Sequence, residues 1–313
     1  MGWTLYFLKN YARCIYIKTQ KNELWGSIAA LIPNIIFGFS FLFSKIALDY
    51  AHPLIILAVR FTVAFTVLNL LWLFGIVKLN FKGKNLKKIM LMAFMQPLLY
   101  FIFELYGIGA TSSAISGVII SLVPVAVILL SAFLLKEKPT VRQIVCSVIS
   151  LAAVVTISVL SNDGKQSNII GILLLLGAVV CAAFFNILSR SESAKFTPFE
   201  RTYMMFLVGS VGFNVIAVAT LRGQVLTELA RASAAPEFWG AIGYLAVASS
   251  IVAFMLYNYA TTKISAVRAA SFSNLITVVS VLAGLFIMKE HLSVPQLVCC
   301  AAIILGVWGV NKE

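Results

Sequence analysis

Ten apolar segments, each about as long as a helix must be to cross a lipid bilayer, occupy most of the 313-residue chain. A membrane-spanning helix takes about 20 apolar residues. Short polar breaks, such as KLNFKGKNLKK at 78–88 and SNDGKQSN at 161–168, separate the segments. The segments, numbered as spans one to ten, lie at 25–47, 53–75, 87–109, 112–135, 142–160, 168–189, 199–220, 238–260, 264–287 and 294–310.

The composition indicates that lipid is the solvent for this apolar surface. Hydrophobic residues make up 61% of the chain and charged residues 11%, whereas soluble domains carry about 45–50% and about 25%. The runs are apolar on every face, unlike the strands of a membrane β-barrel, in which polar and apolar residues alternate. The sequence therefore predicts an all-α integral membrane protein with ten transmembrane helices.

The distribution of Lys and Arg predicts the orientation of the chain. With the amino terminus inside, 18 of the 24 Lys and Arg residues lie on the cytoplasmic side, five lie outside and Arg60 lies within a span. Cytoplasmic loops are enriched in Lys and Arg, so we expect a multi-pass plasma-membrane protein, of the bacterial inner membrane, with both termini cytoplasmic. Residues 1–24 are basic, and we expect them to be cytoplasmic or interfacial. The bias accounts for most of the net charge of +13, so nucleic-acid binding is not needed to explain it.

The two halves of the chain resemble each other, which predicts a first five-helix repeat at 25–160 and a second at 168–310. KEKPTVRQIVC at 136–146 matches KEHLSVPQLVC at 289–299, with six identities in eleven positions at an offset of 153. Five spans per repeat is an odd number, so the second repeat must enter the membrane upside down. Many secondary transporters are built from inverted repeats around one central site.

Near the start of each repeat the offset is 145, and it pairs Pro53 with Pro198 and Phe61 with Phe206. The difference of eight residues between the two offsets fits a longer connection between spans seven and eight than between spans two and three.

Four stretches carry a resemblance to a known family: FGFSFLFSKIALDYAHPLIILAVRF at 37–61, ELYGIGATSSAISGVIISLVPV at 104–125, LLKEKPTVRQ at 134–143 and SNLITVVSVLAGLFIMKEHLS at 273–293. They resemble the EamA-like ten-helix members of the drug/metabolite transporter superfamily. The resemblance covers residues 25–310 and implies two inverted five-helix repeats, a central cavity and usually efflux. One departure is that Thr277 stands where the first repeat has Pro124, so we expect a helix break in span four but not in span nine.

Charges that occur in only one repeat are the better candidates for transport, because a residue present in both repeats serves the shared fold. Arg60 matches Met205 and Glu104 matches Tyr257, so neither charge is duplicated. A charge near the centre of a helix costs roughly 2.5–3.5 kcal/mol on insertion scales. Both charges would lie about 10 Å from the outer ends of their spans, at 1.5 Å per residue. We expect them to pair or to line the cavity together; a purely structural ion pair is the alternative.

Polar residues at helical spacing in span three predict a cavity wall. Gln96, Tyr100 and Glu104 share one face if the helix is regular, and a polar stripe in a lipid-embedded helix should face a cavity. The matching stretch of the second repeat contains Tyr257 and Asn258. The tyrosine rings would suit flat or partly apolar substrates through stacking, or else anchor the helix at the membrane interface.

Ser121 and Asn274 occupy equivalent positions in spans four and nine. Single polar groups within spans often bond neighbouring helices, but we expect this pair to face the cavity. The predicted substrate-binding or coupling residues are Arg60, Gln96, Tyr100, Glu104, Ser121, Tyr257, Asn258 and Asn274.

These patterns predict a secondary transporter that exports small metabolites, such as amino acids or related compounds, or drugs, by alternating access. An uptake or exchange carrier for sugars or nucleosides and a non-transporting receptor or scaffold are the alternatives. The sequence has no phosphate-binding P-loop, and its two histidines, His52 and His291, belong to no metal pattern. We therefore expect no enzymatic activity, cofactor or metal. The expected partners are a small-molecule substrate, the lipid bilayer and a proton as coupling ion; the oligomeric state stays open.

Overall fold

The computed structural model describes residues 2–110, 119–120, 122–136, 138–160, 169–287 and 294–312. Within these ranges the chain forms helices and short loops and no β-strand. The first repeat contains α1 (Gly2–Leu48), α2 (Pro53–Leu73), α3 (Lys87–Ala93), a π-helical stretch (Phe94–Leu99), α4 (Tyr100–Gly109), α5 (Val123–Leu130) with a π-helical extension (Ser131–Leu135), and α6 (Val141–Leu160). The second contains α7 (Ile169–Ser191), α8 (Pro198–Leu221), α9 (Val225–Ser233), α10 (Pro236–Gly243), a π-helical stretch (Tyr244–Val252), α11 (Ala253–Lys263), α12 (Ala266–Ser271), α13 (Asn274–Ile287) and α14 (Val294–Asn311).

Most of each predicted span is helical where the structure describes it; the exceptions are residues 74–75 of span two, Leu122 of span four, and residues 264–265 and 272–273 of span nine. Five helical stretches in the described ranges are long and apolar enough to cross a bilayer: Asn22–Leu48, Pro53–Leu73, Ile169–Ser191, Pro198–Leu221 and Pro236–Lys263. Spans four, five, nine and ten contain shorter apolar helices, and span three is interrupted by its π-helical stretch. The predicted all-helical membrane fold is confirmed.

Equivalent prolines begin α2 and α8. Proline suits the first turn of a helix because the amide hydrogen it lacks would have no intrahelical acceptor there. His52 caps α2 by accepting a bond from the Leu54 amide at 3.2 Å. Thr197 caps α8 in a capping box with Glu200, in which each side chain accepts a bond from the other's backbone amide. The short connections that precede both helices therefore end at fixed positions.

Contacts between loops show that the two repeats run in opposite directions. Segments 78–88, 190–201 and 263–268 meet at one end of the bundle, here called the basic end, where Lys84 Nζ lies 2.8 Å from Glu200 Oε2. At the opposite end, called the far end, Ala51 packs in one cluster with Phe238. Helix α2 therefore runs from the far end to the basic end, whereas its counterpart α8 runs from the basic end to the far end.

The helix packing follows the same twofold relation. Helix α2 packs against its counterpart α8, and α6 packs against its counterpart α14. The contact of α1 with α11 matches that of α7 with α4, because each joins the first span of one repeat to the third span of the other. Two inverted repeats therefore enclose a common centre, as the sequence predicts.

The structure corrects the expectation that only span four is broken. Span nine is interrupted between α12 and α13 although it has no proline there. The hydroxyl of Ser271 bonds to the carbonyl of Arg268 at 2.8 Å, and that of Ser273 bonds to the carbonyl of Ala270 at 2.7 Å. Serine side chains compete with the helix ladder in this way, so serines can mark a break that proline marks elsewhere.

A glycine allows a close approach between the repeats at the centre of the bundle. A Cβ atom at Gly209 of α8 would lie 2.6 Å from Phe61 Cδ1 and 2.8 Å from Pro97 Cγ. Real Cβ atoms do not approach neighbours so closely, so α8 can pack here only with glycine. Gly240 of α10 is its contrast, because a Cβ atom there would meet no neighbour within 4 Å.

We expect Gly209→Ala to lower the stability of the folded protein, by about 1–3 kcal/mol for an overpacked core position. Gly240→Ala should leave stability unchanged or raise it, because alanine is the better helix former. Thermal unfolding in detergent measures both variants. Equal melting temperatures would contradict the packing shown at Gly209.

Candidate functional site

Four phenylalanines mark the centre of the bundle. The rings of Phe61 and Phe206 stack with centroids 5.1 Å apart and planes 25° apart. Phe101 meets Phe61 edge-on at 5.7 Å and 70°, and Phe254 meets Phe206 edge-on at 6.0 Å and 75°. The offset of 145 relates Phe61 to Phe206, and the offset of 153 relates Phe101 to Phe254. The pseudo-twofold axis therefore passes between the stacked rings.

Spans three and eight are both irregular beside this centre. Span three is π-helical at Phe94–Leu99, where Gln96 has the non-helical angles φ −141° and ψ 122°. Span eight is π-helical at Tyr244–Val252, and Ser249 is the counterpart of Gln96. Interrupted helices at the interface of inverted repeats form the binding sites of many transporters.

The irregular backbone also corrects the predicted stripe. Because span three is not a regular helix at Gln96, this half-buried residue does not continue the face of Tyr100 and Glu104 in the predicted register.

Arg60 is bound to the π-helical stretch of span eight. Its Nε donates to Ser250 Oγ at 2.9 Å, and its Nη2 donates to Ser249 Oγ at 3.1 Å. The guanidinium carbon lies 5.7 Å from the ring centre of Phe61 and 5.5 Å from that of Phe101. Cation–π contact and two hydrogen bonds thus hold a side chain that is only 6% exposed.

Glu104 lies near Arg60 but does not pair with it. Its Oε1 accepts a hydrogen bond of 2.7 Å from Tyr100 Oη. Among the described residues, Glu104 Oε2 and Arg60 Nη1 make no hydrogen bond, and the two side chains form no direct ion pair. Tyr100 also contacts Phe101 edge-on at 5.3 Å, which connects the acidic group to the aromatic centre.

Tyr257, the counterpart of Glu104, belongs to a separate polar pair. Its hydroxyl donates to Asn186 Oδ1, and Asn186 Nδ2 donates in turn to the carbonyl of Ala182 at 2.8 Å. The Tyr257 ring stacks on Phe185 at 6.0 Å and 27°. The pair fixes the orientation of a ring on the second-repeat side of the aromatic centre.

Asn258 is fully buried in a network that includes a residue the sequence reasoning missed. Asn258 Oδ1 accepts a bond of 2.8 Å from Ser189 Oγ, and Asn258 Nδ2 donates to Thr202 Oγ1 at 3.0 Å. The guanidinium of Arg201 donates to the carbonyls of Ser189 and Asn258. It also bonds to the hydroxyl of Thr261 at 2.9 Å.

Arg201, one of the 18 Lys and Arg residues assigned to the cytoplasmic side, lies in the first turn of α8 with no exposed surface. Within the described part of the chain, no carboxylate lies within ion-pair distance of it. Its counterpart in the first repeat is Ile56, so Arg201 is also a charge present in only one repeat, and applying that comparison to the first residues of span seven would have found it.

The structure thus brings Arg60, Tyr100 and Glu104 together at the centre, with Gln96 at the adjoining break. Tyr257 and Asn258 lie in separate buried contacts of the second repeat. Asn274 is buried at the start of α13, whereas Ser121 lies outside the described residues.

Comparisons with known proteins agree with this architecture. The model of the EamA-like transporter family matches residues 24–159 and again residues 169–312. An uncharacterized transporter of Bacillus subtilis, YcxC, is 37% identical over 94% of this chain and 95% of its own length. An uncharacterized transporter of Archaeoglobus fulgidus is 27% identical over 88% of this chain and 95% of its own length. One crystal structure shares the fold with a TM-score of 0.74 at 15% identity, over 91% of this chain and 95% of that chain.

We expect Asn258→Leu, which introduces the residue found at the equivalent Leu105, to destabilise the fold. The two buried hydrogen bonds of Asn258 with Ser189 and Thr202 would be lost, and each such bond contributes about 0.5–1.5 kcal/mol. Asn214→Leu is the control, because Asn214 is exposed and bonds to Thr62 Oγ1 at 2.7 Å. An exposed interhelical bond of this kind contributes about 0.6 kcal/mol. Thermal unfolding in detergent compares the stability of the two variants. An equal loss of stability in both would contradict the structural role of Asn258.

Proposed function

Because the chain belongs to the EamA-like transporter family, we propose that it exports small zwitterionic metabolites, amino acids or related compounds, by alternating access. The supporting observation is the separation of Arg60 from Glu104 at the centre of the bundle. Each group keeps one hydrogen-bonding atom, Nη1 and Oε2, that no described residue uses. A substrate that carries both an ammonium and a carboxylate group offers the matching pair of charges.

The chemistry of Arg60 and Glu104 determines which end of such a substrate each residue would bind. A guanidinium binds a carboxylate through charge-assisted hydrogen bonds, and a carboxylate accepts them from an ammonium group. Ser249 and Ser250 hold Arg60 by two of its three nitrogens, so the third remains for the ligand. Each substrate charge meets its opposite at a site shielded from water, where such contacts are strongest.

Aromatic rings supply the rest of the proposed site. Phe101 contacts the Arg60 guanidinium, and Tyr100 contacts both Phe101 and Glu104. These ring faces suit a substrate with an apolar or flat side chain, which can pack or stack against them. Substrates with apolar side chains should therefore be preferred over acidic ones.

The orientation follows from charge. Lys and Arg concentrate at the basic end, which we place in the cytoplasm by the positive-inside rule. In the proposed cycle, substrate enters from the cytoplasm and leaves at the far end of a multi-pass plasma-membrane protein. A proton is the proposed coupling ion, because Glu104 can hold either a proton or the ammonium group of the substrate but not both.

We expect Glu104→Gln to reduce amino-acid flux in proteoliposomes at least tenfold, the effect of losing about 1.4 kcal/mol of substrate interaction. The substitution keeps the size of the side chain and its acceptor for Tyr100. Glu237→Gln removes a charge from an exposed position of α10 and should transport normally. Unchanged flux in Glu104→Gln, with both proteins monodisperse in detergent, would refute the role of this carboxylate.

We also expect the site to distinguish zwitterions from their blocked analogues. In a metabolite panel, free amino acids should be exported, whereas their N-acetyl and methyl ester forms should not, because each lacks one of the two charges. An acidic far side should accelerate export by the parent protein and leave residual flux by Glu104→Gln unaffected. Equal export of blocked and free compounds, or flux of sugars or nucleosides instead, would overturn the substrate proposal.

A further inference from the structure

The joint between the repeats at the basic end is built from charges. Glu200 is 1% exposed, and its Oε1 accepts hydrogen bonds from the Asn80 amide at 2.9 Å and from Lys84 Nζ at 3.0 Å. Its Oε2 lies 2.8 Å from the same ammonium group. Lys84 also lies 5.1 Å from the ring centre of Phe196. One carboxylate on α8 thus fastens the 78–88 segment of the first repeat to the second repeat.

The neighbouring residue fastens α8 to its own repeat. Arg201 bonds to Ser189 at the end of α7 and to Asn258 and Thr261 of α11. The first turn of α8 therefore cannot separate from α7 and α11 without exposing a buried guanidinium. If the basic end opens, the contact that separates is therefore the one between Glu200 and Lys84. The lysine side chain of this pair is 25% exposed to solvent.

The equivalent joint at the far end is apolar. The offset of 145 relates Glu200 to Ile55 and Arg201 to Ile56. Ile55 is 1% exposed and Ile56 is 5% exposed, and both belong to an apolar cluster with Ala232 and Phe238. Phe196 likewise corresponds to Ala51 of the same cluster. The same structural position is thus charged at one end of the bundle and apolar at the other.

We propose that the two gates of this transporter are chemically different: a Lys84–Glu200 charge latch closes the basic end, and an apolar seal around Ile55 closes the far end. This inference rests on the proposed alternating-access function, because a gate has meaning only for a site that opens to both sides. It assigns to Lys84 and Glu200 a role in access to the site rather than in substrate binding.

The two kinds of closure respond differently to salt. Raising ionic strength from about 0.1 M to about 1 M shortens the Debye length from about 10 Å to about 3 Å. A pair with a partly exposed lysine is weakened by this screening, whereas burial of isoleucine and phenylalanine does not depend on charge. Salt should therefore favour opening of the basic end and leave the far end closed.

Accessibility of a central cysteine tests the latch. Gln96→Cys is placed in a chain whose five native cysteines are replaced, and its labelling by a membrane-impermeant maleimide is measured separately from each face of the membrane. Lys84→Gln should raise labelling from the basic end several-fold and abolish its dependence on salt. Lys87→Gln is the matched control, because it removes one positive charge from the same segment at an exposed lysine.

Further variants complete the comparison. Lys84→Arg, which keeps the ion pair, should restore the parent rate. Ile55→Ser should raise labelling from the far end with no dependence on salt. Equal labelling of Lys84→Gln and Lys87→Gln would overturn the proposal, as would a parent chain whose labelling is equally salt-dependent from both faces. The second result needs no gate variant to fold, and neither needs substrate. Failed flux with intact gating would therefore refute the substrate proposal alone.

Discussion

Buried guanidinium groups impose the strongest constraint on this membrane protein. Lipid supplies no hydrogen-bond acceptors, so every buried polar group must find one within the bundle. Arg60 finds two serine hydroxyls at the irregular stretch of span eight, and Arg201 finds backbone carbonyls where α7 and α11 meet. Neither arrangement could form on an isolated helix, so the positions of spans two, seven and eight relative to one another follow from satisfying two cations.

The symmetry of the fold makes its departures from symmetry informative. Phe61, Phe101, Phe206 and Phe254 form a nearly exact twofold arrangement that maintains the packing at the centre. Arg60 and Glu104 break that symmetry, because Met205 and Tyr257 occupy the equivalent positions. A charged pair on one side of a symmetric aromatic centre can bind one substrate in one orientation. A duplicated pair would offer two equivalent orientations.

The fold was predictable because its determinants are local and repeated. Apolar runs of span length, the lysine-rich loops and the matching prolines Pro53 and Pro198 are all visible without tertiary contacts. The candidate site was harder to predict from the sequence. A regular 3.6-residue period fails at Gln96, and the partners of Arg60 lie 189 and 190 residues away in sequence. The burial of Arg201 depends on acceptors from two other helices, α7 and α11, which the sequence near the start of α8 gives no reason to expect.

The central charges also explain how an empty carrier and a loaded one can differ in shape. A ligand shifts a conformational equilibrium only by binding the two states unequally. Without substrate, Arg60 and Glu104 form no direct ion pair, and each keeps one hydrogen-bonding atom that no described residue uses. Under the proposed function, a zwitterion would contact both groups and so link α2 to α4. Substrate occupancy would then act on the spacing of these two helices, and α2 also carries Ile55 of the proposed far-end seal.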